Sequence, residues 1–130
     1  SFIKHRTKIA KIYIKRLKNN QYLNFFNINE KNQNSYWRFP LYLSSKISRS
    51  KFQKKMNELG VRITWMYDPL CHFQPLYKQK QKLKLKISEE HIKYLINLPT
   101  HINVNKKMAE KICDKVTIVT DQLIKKNKNS

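Results

Sequence analysis

Arg38 stands between Trp37 and Phe39. A guanidinium there offers a planar fork of donors suited to a carboxylate or phosphate, or simply points outward from a strand. The most informative stretch is Gly60 to Lys78, Gly-Val-Arg-Ile-Thr-Trp-Met-Tyr-Asp-Pro-Leu-Cys-His-Phe-Gln-Pro-Leu-Tyr-Lys. Motifs that would make a catalytic centre are missing. Gly60 is the chain's single glycine, so neither a G-x-G-x-x-G turn nor a P-loop can form. No G-x-S-x-G or H-E-x-x-H pattern occurs. The eight acidic residues are scattered, and no carboxylate pair for acid–base work is readable. Cys71 and Cys113 lack C-x-x-C spacing, and His5, His72, His91 and His101 add no metal-ligand pattern, so no metal site is expected. Residue types alone spell out no active site.

The elements that would position these groups follow from periodicity. Ile3, Ala10, Tyr13 and Leu17 recur at helical spacing and predict an amphipathic helix from Ile3 to about Lys18. The Asn-rich stretch from Asn19 to Ser35 reads as a loop with one short extended segment within Tyr22–Ile28. Tyr36 to Leu43 alternates, with Trp37, Phe39, Leu41 and Leu43 on one face. That is a half-covered strand, and Pro40 puts it at a sheet edge or on a bulge. Ser48 is placed to cap a helix whose stripe is Phe52, Met56 and Leu59, and Gly60 to end it in a left-handed conformation. Val61, Ile63, Trp65 and Tyr67 alternate as a second strand, and both tryptophans read as core. Lys78 to Lys86 reads as an exposed connection or short edge strand. Ser88-Glu89-Glu90 opens a helix toward Leu95, closed by Leu98-Pro99. His101 reads as a turn residue. Asn105 caps a final helix with Met108, Ile112, Val116, Val119 and Leu123 on one face and a buried Cys113, and the tail from Lys125 to Ser130 is expected to be disordered. The fold class expected is α+β: a two-layer domain with a small, mainly antiparallel sheet and helices packed on one side.

With 130 residues the chain supports one domain, burying about two-thirds of its unfolded surface. No apolar run is long enough to span a membrane, and no signal-peptide pattern is present. The formal charge is +20, which on its own suggests nucleic acid. Only five of the 28 basic residues are arginine, however, and the lysines are spread along the chain beside Asn and Ile. All three residue types have A/T-rich codons, so genome composition accounts for the excess. Solvated lysines and non-specific, salt-sensitive contact with polyanions are expected.

Four segments in order carry a resemblance. Arg6 to Leu17 has the pattern Arg, two residues, Ile-Ala, two residues, Tyr, three residues, Leu. Tyr36-Trp37-Arg38-Phe39-Pro40-Leu41 follows, then the Gly60–Lys78 stretch with Tyr67, Pro69-Leu70, His72 and Gln74-Pro75, and then Leu98-Pro99-Thr100-His101. Together they resemble the C-terminal small domain of DegT/DnrJ/StrS-type aminotransferases, fold-type-I enzymes dependent on pyridoxal phosphate, many of which aminate keto-sugars attached to nucleotides. The resemblance covers nearly the whole chain, with 1–124 as the domain.

The resemblance implies that the cofactor's anchoring lysine, the aspartate facing its pyridine nitrogen and its phosphate-binding residues lie in a large domain. That domain would precede Ser1 or come from a partner chain. Residues of this chain that bind the cofactor or act catalytically are therefore expected to be none. On the substrate side the resemblance implies His72, with Cys71 inserted before it, together with Tyr67 and Arg38. It further implies a homodimeric, cytoplasmic complete enzyme transferring an amino group, commonly from glutamate, to a small-molecule keto-sugar. The chain is then a fragment or a separately encoded part. The alternatives are a small basic nucleic-acid-binding protein and an inactive remnant. Tyr67 and His72 are expected together at one rim, beside an apolar patch around the first helix.

Overall fold

The computed structural model describes residues 1–26, 34–78 and 84–128. Helix α1 spans Phe2–Leu17 and buries Ile9, Ala10, Tyr13 and Leu17. Ile3, expected on that stripe, is 42% exposed, because the first turn of α1 projects beyond the core. Tyr13 is fully buried, yet its hydroxyl donates to the Pro99 carbonyl at 2.7 Å. A buried hydroxyl left without that partner would cost about 1–3 kcal/mol. Burial holds its phenol well above the ordinary range, with Cys113 adding to the shift.

Three strands form an antiparallel sheet in the order β1 (Leu23–Asn24), β2 (Phe39–Leu43), β3 (Leu95–Leu98). β2 buries Phe39, Leu41 and Leu43 on the face turned to the helices, as its period of two predicts. Pro40 was expected at an edge, yet β2 is the central strand. The register resolves this. Pro40 lies opposite Asn97, whose N–H points away from β2 and donates to the Thr64 carbonyl at 2.7 Å. The two residues therefore exchange no backbone bond, and the proline nitrogen faces the β1 side. There β1 has already ended at Asn24, opposite Tyr42. The missing donor costs nothing.

β3 corrects the helix expected through Leu98. Helix α4 covers only Lys86–His91, and Leu95-Ile96-Asn97-Leu98 pairs with β2 instead. A short apolar run fits either element, and only the neighbouring strand decides. The opposite correction applies to Val61–Tyr67. Val61 and Ile63 are buried in alternation, but the segment makes one isolated bridge, Thr64 to Asn97, and is no strand of the sheet. The Ile63 carbonyl is taken by the Gln53 side chain at 2.9 Å.

Helix α2, Arg49–Glu58, starts as expected: the Ser48 side chain accepts the Lys51 N–H. It ends on Gly60 at φ 76°, with Gly60 N–H bonded to Asn57 O and Val61 N–H to Met56 O, both at 2.9 Å. This paired closure satisfies two end carbonyls and needs a left-handed residue. Phe52 and Met56 are buried, but Leu59 faces solvent. Helix α3 is the single turn Pro75–Lys78. Helix α5, Lys106–Lys128, packs against α1 and α2. Its first turn is capped by Asn105, whose side chain accepts the Met108 N–H at 2.9 Å. Ile112, Cys113, Val116, Val119 and Leu123 are buried and Met108 is exposed. The helix continues to Lys128, so the tail expected from Lys125 is helical that far. Residues 79–83 of the lysine-rich connection, 27–33 and 129–130 lie outside the described residues. Sheet and helices make the two-layer α+β domain expected.

Candidate functional site

The loop after Trp65 is built by side chains from two helices. Arg49, the first residue of α2, donates to the Asp68 carboxylate and to the Ile92 carbonyl, and its guanidinium lies 4.2 Å over the Trp65 ring. Trp65 is thus half-buried under a cation rather than in the core. After the cis Asp68–Pro69 peptide a 3-10 turn, Cys71–Phe73, forms as Phe73 N–H meets Leu70 O at 2.8 Å. His72 Nε2 lies 3.0 Å from Glu89 Oε1, which also accepts the Leu85 N–H at 2.9 Å. An ionised carboxylate can only accept, so Nε2 carries the proton of that bond. The Leu85 amide first, and His72 second, hold Glu89 below the usual carboxylate range. Glu89 therefore caps α4 and ties down the loop at once.

Tyr67 sits in the same loop with φ 63° and is 64% exposed. A left-handed tyrosine costs about 1–3 kcal/mol, and such strain persists where the surroundings over-determine it. Here the Arg49–Asp68 pair fixes the next residue. Ser48, Arg49, Asp68, Phe73, Glu89 and Lys93 line an open depression beside the loop.

Arg38 lies elsewhere. It donates to Thr64 Oγ1 at 3.3 Å and stacks at 4.6 Å on Trp37, which is 56% exposed and not the core residue expected. Trp37 precedes β2, and the chain turns at Tyr36, φ 45°, so the alternation does not extend back to it. Arg38 lines a second depression with Arg6, Arg62, Asn97, Thr100 and His101. The two depressions share no lining residue. Tyr67 and His72 are on one loop, and Arg38 lines a depression to which neither contributes. An apolar hollow lined by Phe2, His5 and Ile102 lies at the start of α1. Sequence reading did not find Arg49, Asp68 or Glu89. The Arg–Asp pair spans two elements, and Glu89 was read only as part of a helix opening.

The described side chains do not fit the anchoring of an aldehyde cofactor. An anchoring lysine must be desolvated or otherwise deprotonated to act as a nucleophile. No lysine whose side chain is described is buried, and Lys93, the one beside the loop, is held protonated by its hydrogen bond to Glu90 at 2.8 Å. Among the described residues no group of three His, Cys, Asp or Glu could hold a metal, and no helix is long and apolar enough to cross a membrane.

The family model for DegT/DnrJ/EryC1/StrS aminotransferases matches residues 1–117. The chain belongs to this family. No curated protein matches the sequence. Among solved structures, the aminotransferase TlmJ from Streptoalloteichus hindustanus shares the fold at TM-score 0.83 and 20% identity, over 93% of this chain and 32% of its own. Helicobacter pylori PseC, an aminotransferase of pseudoaminic acid biosynthesis, gives 0.83 and 22%, over 92% and 33%. DesI, solved with its TDP-sugar product, gives 0.85 and 14%, over 98% and 33%. The chain therefore spans about a third of the length of these proteins. Membership implies pyridoxal phosphate as the cofactor of the complete enzyme.

Proposed function

We propose that this chain is the C-terminal small domain of a cytoplasmic, homodimeric sugar aminotransferase, completed by a large domain that carries the cofactor. The family match over residues 1–117 carries this reading, and the structural likeness to sugar-modifying aminotransferases supports it. Pyridoxal phosphate would be held by the large domain and would supply there the chemistry of amino transfer between an amino acid and the keto-sugar acceptor. The role of this domain is to shape the acceptor's side of the site. Tyr67, exposed on a loop braced by Arg49–Asp68 and His72–Glu89, is proposed to face the acceptor. His72 is proposed to act there with its imidazole oriented by Glu89, and Arg38 to bind an acceptor anion. The match favours this over a nucleic-acid-binding protein, a class for which nothing in the fold speaks.

The test uses the domain joined to its large domain, as one polypeptide or as two. Such a complex should transfer an amino group from glutamate to a nucleotide-linked keto-sugar. Y67F and H72A should slow turnover more than they weaken cofactor binding. A complex that holds the cofactor but aminates no keto-sugar with any common amino donor would overturn the reading.

A further inference from the structure

Three of the five arginines converge on one surface. Arg6 comes from α1, Arg38 from the lead-in to β2 and Arg62 from the segment after the Gly60 turn, and all three line the same depression. The other two, Arg16 and Arg49, are each paired with an aspartate, Asp114 and Asp68. Among the described residues no carboxylate lies within ion-pair reach of Arg6, Arg38 or Arg62, and no Asp or Glu lines the depression. Like charges gathered without a counter-charge repel one another, and a shared anion removes that cost.

Arg38 is already oriented. Trp37 supports its face, Thr64 takes one donor, and its Nε is buried with no hydrogen-bond partner. The remaining rim is polar, with Asn97, Thr100 and His101. Composition sharpens the point: in a chain of 28 basic residues lysine is the default cation, and only five are arginine. What a guanidinium adds over an ammonium is planar, bidentate recognition of oxyanions.

We propose that Arg6, Arg38 and Arg62 form a binding site for a compact phosphoryl anion, the phosphate ester or diphosphate group of a small molecule. A carboxylate is satisfied by one fork and one charge, whereas three forks match the several oxygens and charges of a phosphoryl group. A polynucleotide would need cations along a track, and these three line a single depression. The proposal builds on the substrate-side role given to Arg38. Its test reads binding to the chain with no amino transfer, so the two readings can fail separately.

Calorimetric titration of the chain with pyrophosphate, and separately with inorganic phosphate, is the experiment, with folding of each variant checked by circular dichroism. One saturable site is expected. R38Q and R62Q should each weaken pyrophosphate binding by about tenfold or more, R38K should lose less because its charge stays, and R16Q should bind as the parent does. Absence of saturable binding, undiminished affinity in R38Q, or an equal loss in R16Q would overturn the site. A single-stranded oligonucleotide is the competing arm. Tighter binding than pyrophosphate, through the same three arginines, would reassign the surface to nucleic acid and overturn the small-molecule proposal.

Discussion

At the residue scale, the two cysteines differ only in what surrounds them. Cys113 is buried among α1 and α5 side chains, and desolvation pushes its thiol up to about 12. Cys71 is exposed on the loop. Thiolate is the reactive form, so a maleimide should label Cys71 in the folded chain and Cys113 only after denaturation. Mass spectrometry of the labelled peptides checks this, and equal labelling under native conditions would contradict the buried position. Glu89 gives the second test. Its carboxyl is held below its ordinary value in the folded state, so its contribution is present above the unfolded value and lost as pH falls through the folded one. The Leu85 amide resonance should therefore move at a pH below the usual glutamate range. E89Q should abolish that titration and loosen the His72 loop. A Leu85 shift unaffected by E89Q would show that the bond does not form.

Elements are decided by their ends and edges. The α2 terminus depends on Gly60 in a left-handed conformation, where an added Cβ would meet no atom within 4 Å. Its whole cost is therefore backbone strain. G60A should lower stability by about 1 kcal/mol, and G60V by more, seen as a shift of the denaturation midpoint at unchanged slope. An unmoved midpoint in both would mean that the helix ends elsewhere. This end was readable because a lone glycine after an amphipathic run admits one interpretation. Leu95–Leu98 was not readable, since three apolar residues in a run of four after a short helix suit either period, and only Phe39–Tyr42 alongside makes them a strand. Val61–Tyr67 failed the other way. Its alternation holds in burial for Val61 and Ile63 but not for Trp65 and Tyr67, and among the described residues it meets the sheet only through the Thr64–Asn97 bridge.

For the whole molecule, the question is what this domain can do unaided. The lysines whose side chains are described lie at the surface or half-buried, with Lys93 held protonated by Glu90, so none of these is set up as a cofactor anchor. Incubation with pyridoxal phosphate and borohydride should give only scattered, substoichiometric modification. Trapping on one lysine at stoichiometric yield would show an anchoring site that the fold does not display. The charge of +20 acts at this scale also. Binding to polyanions other than a compact phosphoryl group should fall steeply with salt, because it rests on counterion release rather than on fitted contacts.

Much was determined by the sequence alone: α1, α2 and α5, the caps of α2 and α5, the inward face of β2, the α+β class and the family. These are local properties, set by periodicity over one or two turns and by residues such as Ser48, Gly60 and Asn105 that act on their own backbone. The site was legible only as names. Tyr67, His72 and Arg38 stand in recognisable motifs, but no sequence rule says what their side chains meet. That Glu89 brackets His72 and Arg49 braces the residue after Tyr67 was decided by packing between segments 17 and 19 residues apart. That Arg38 joins Arg6 and Arg62 was decided in the same way, by three elements brought to one surface. Contacts of this kind depend on where helices cross and strands register, which only the folded chain sets.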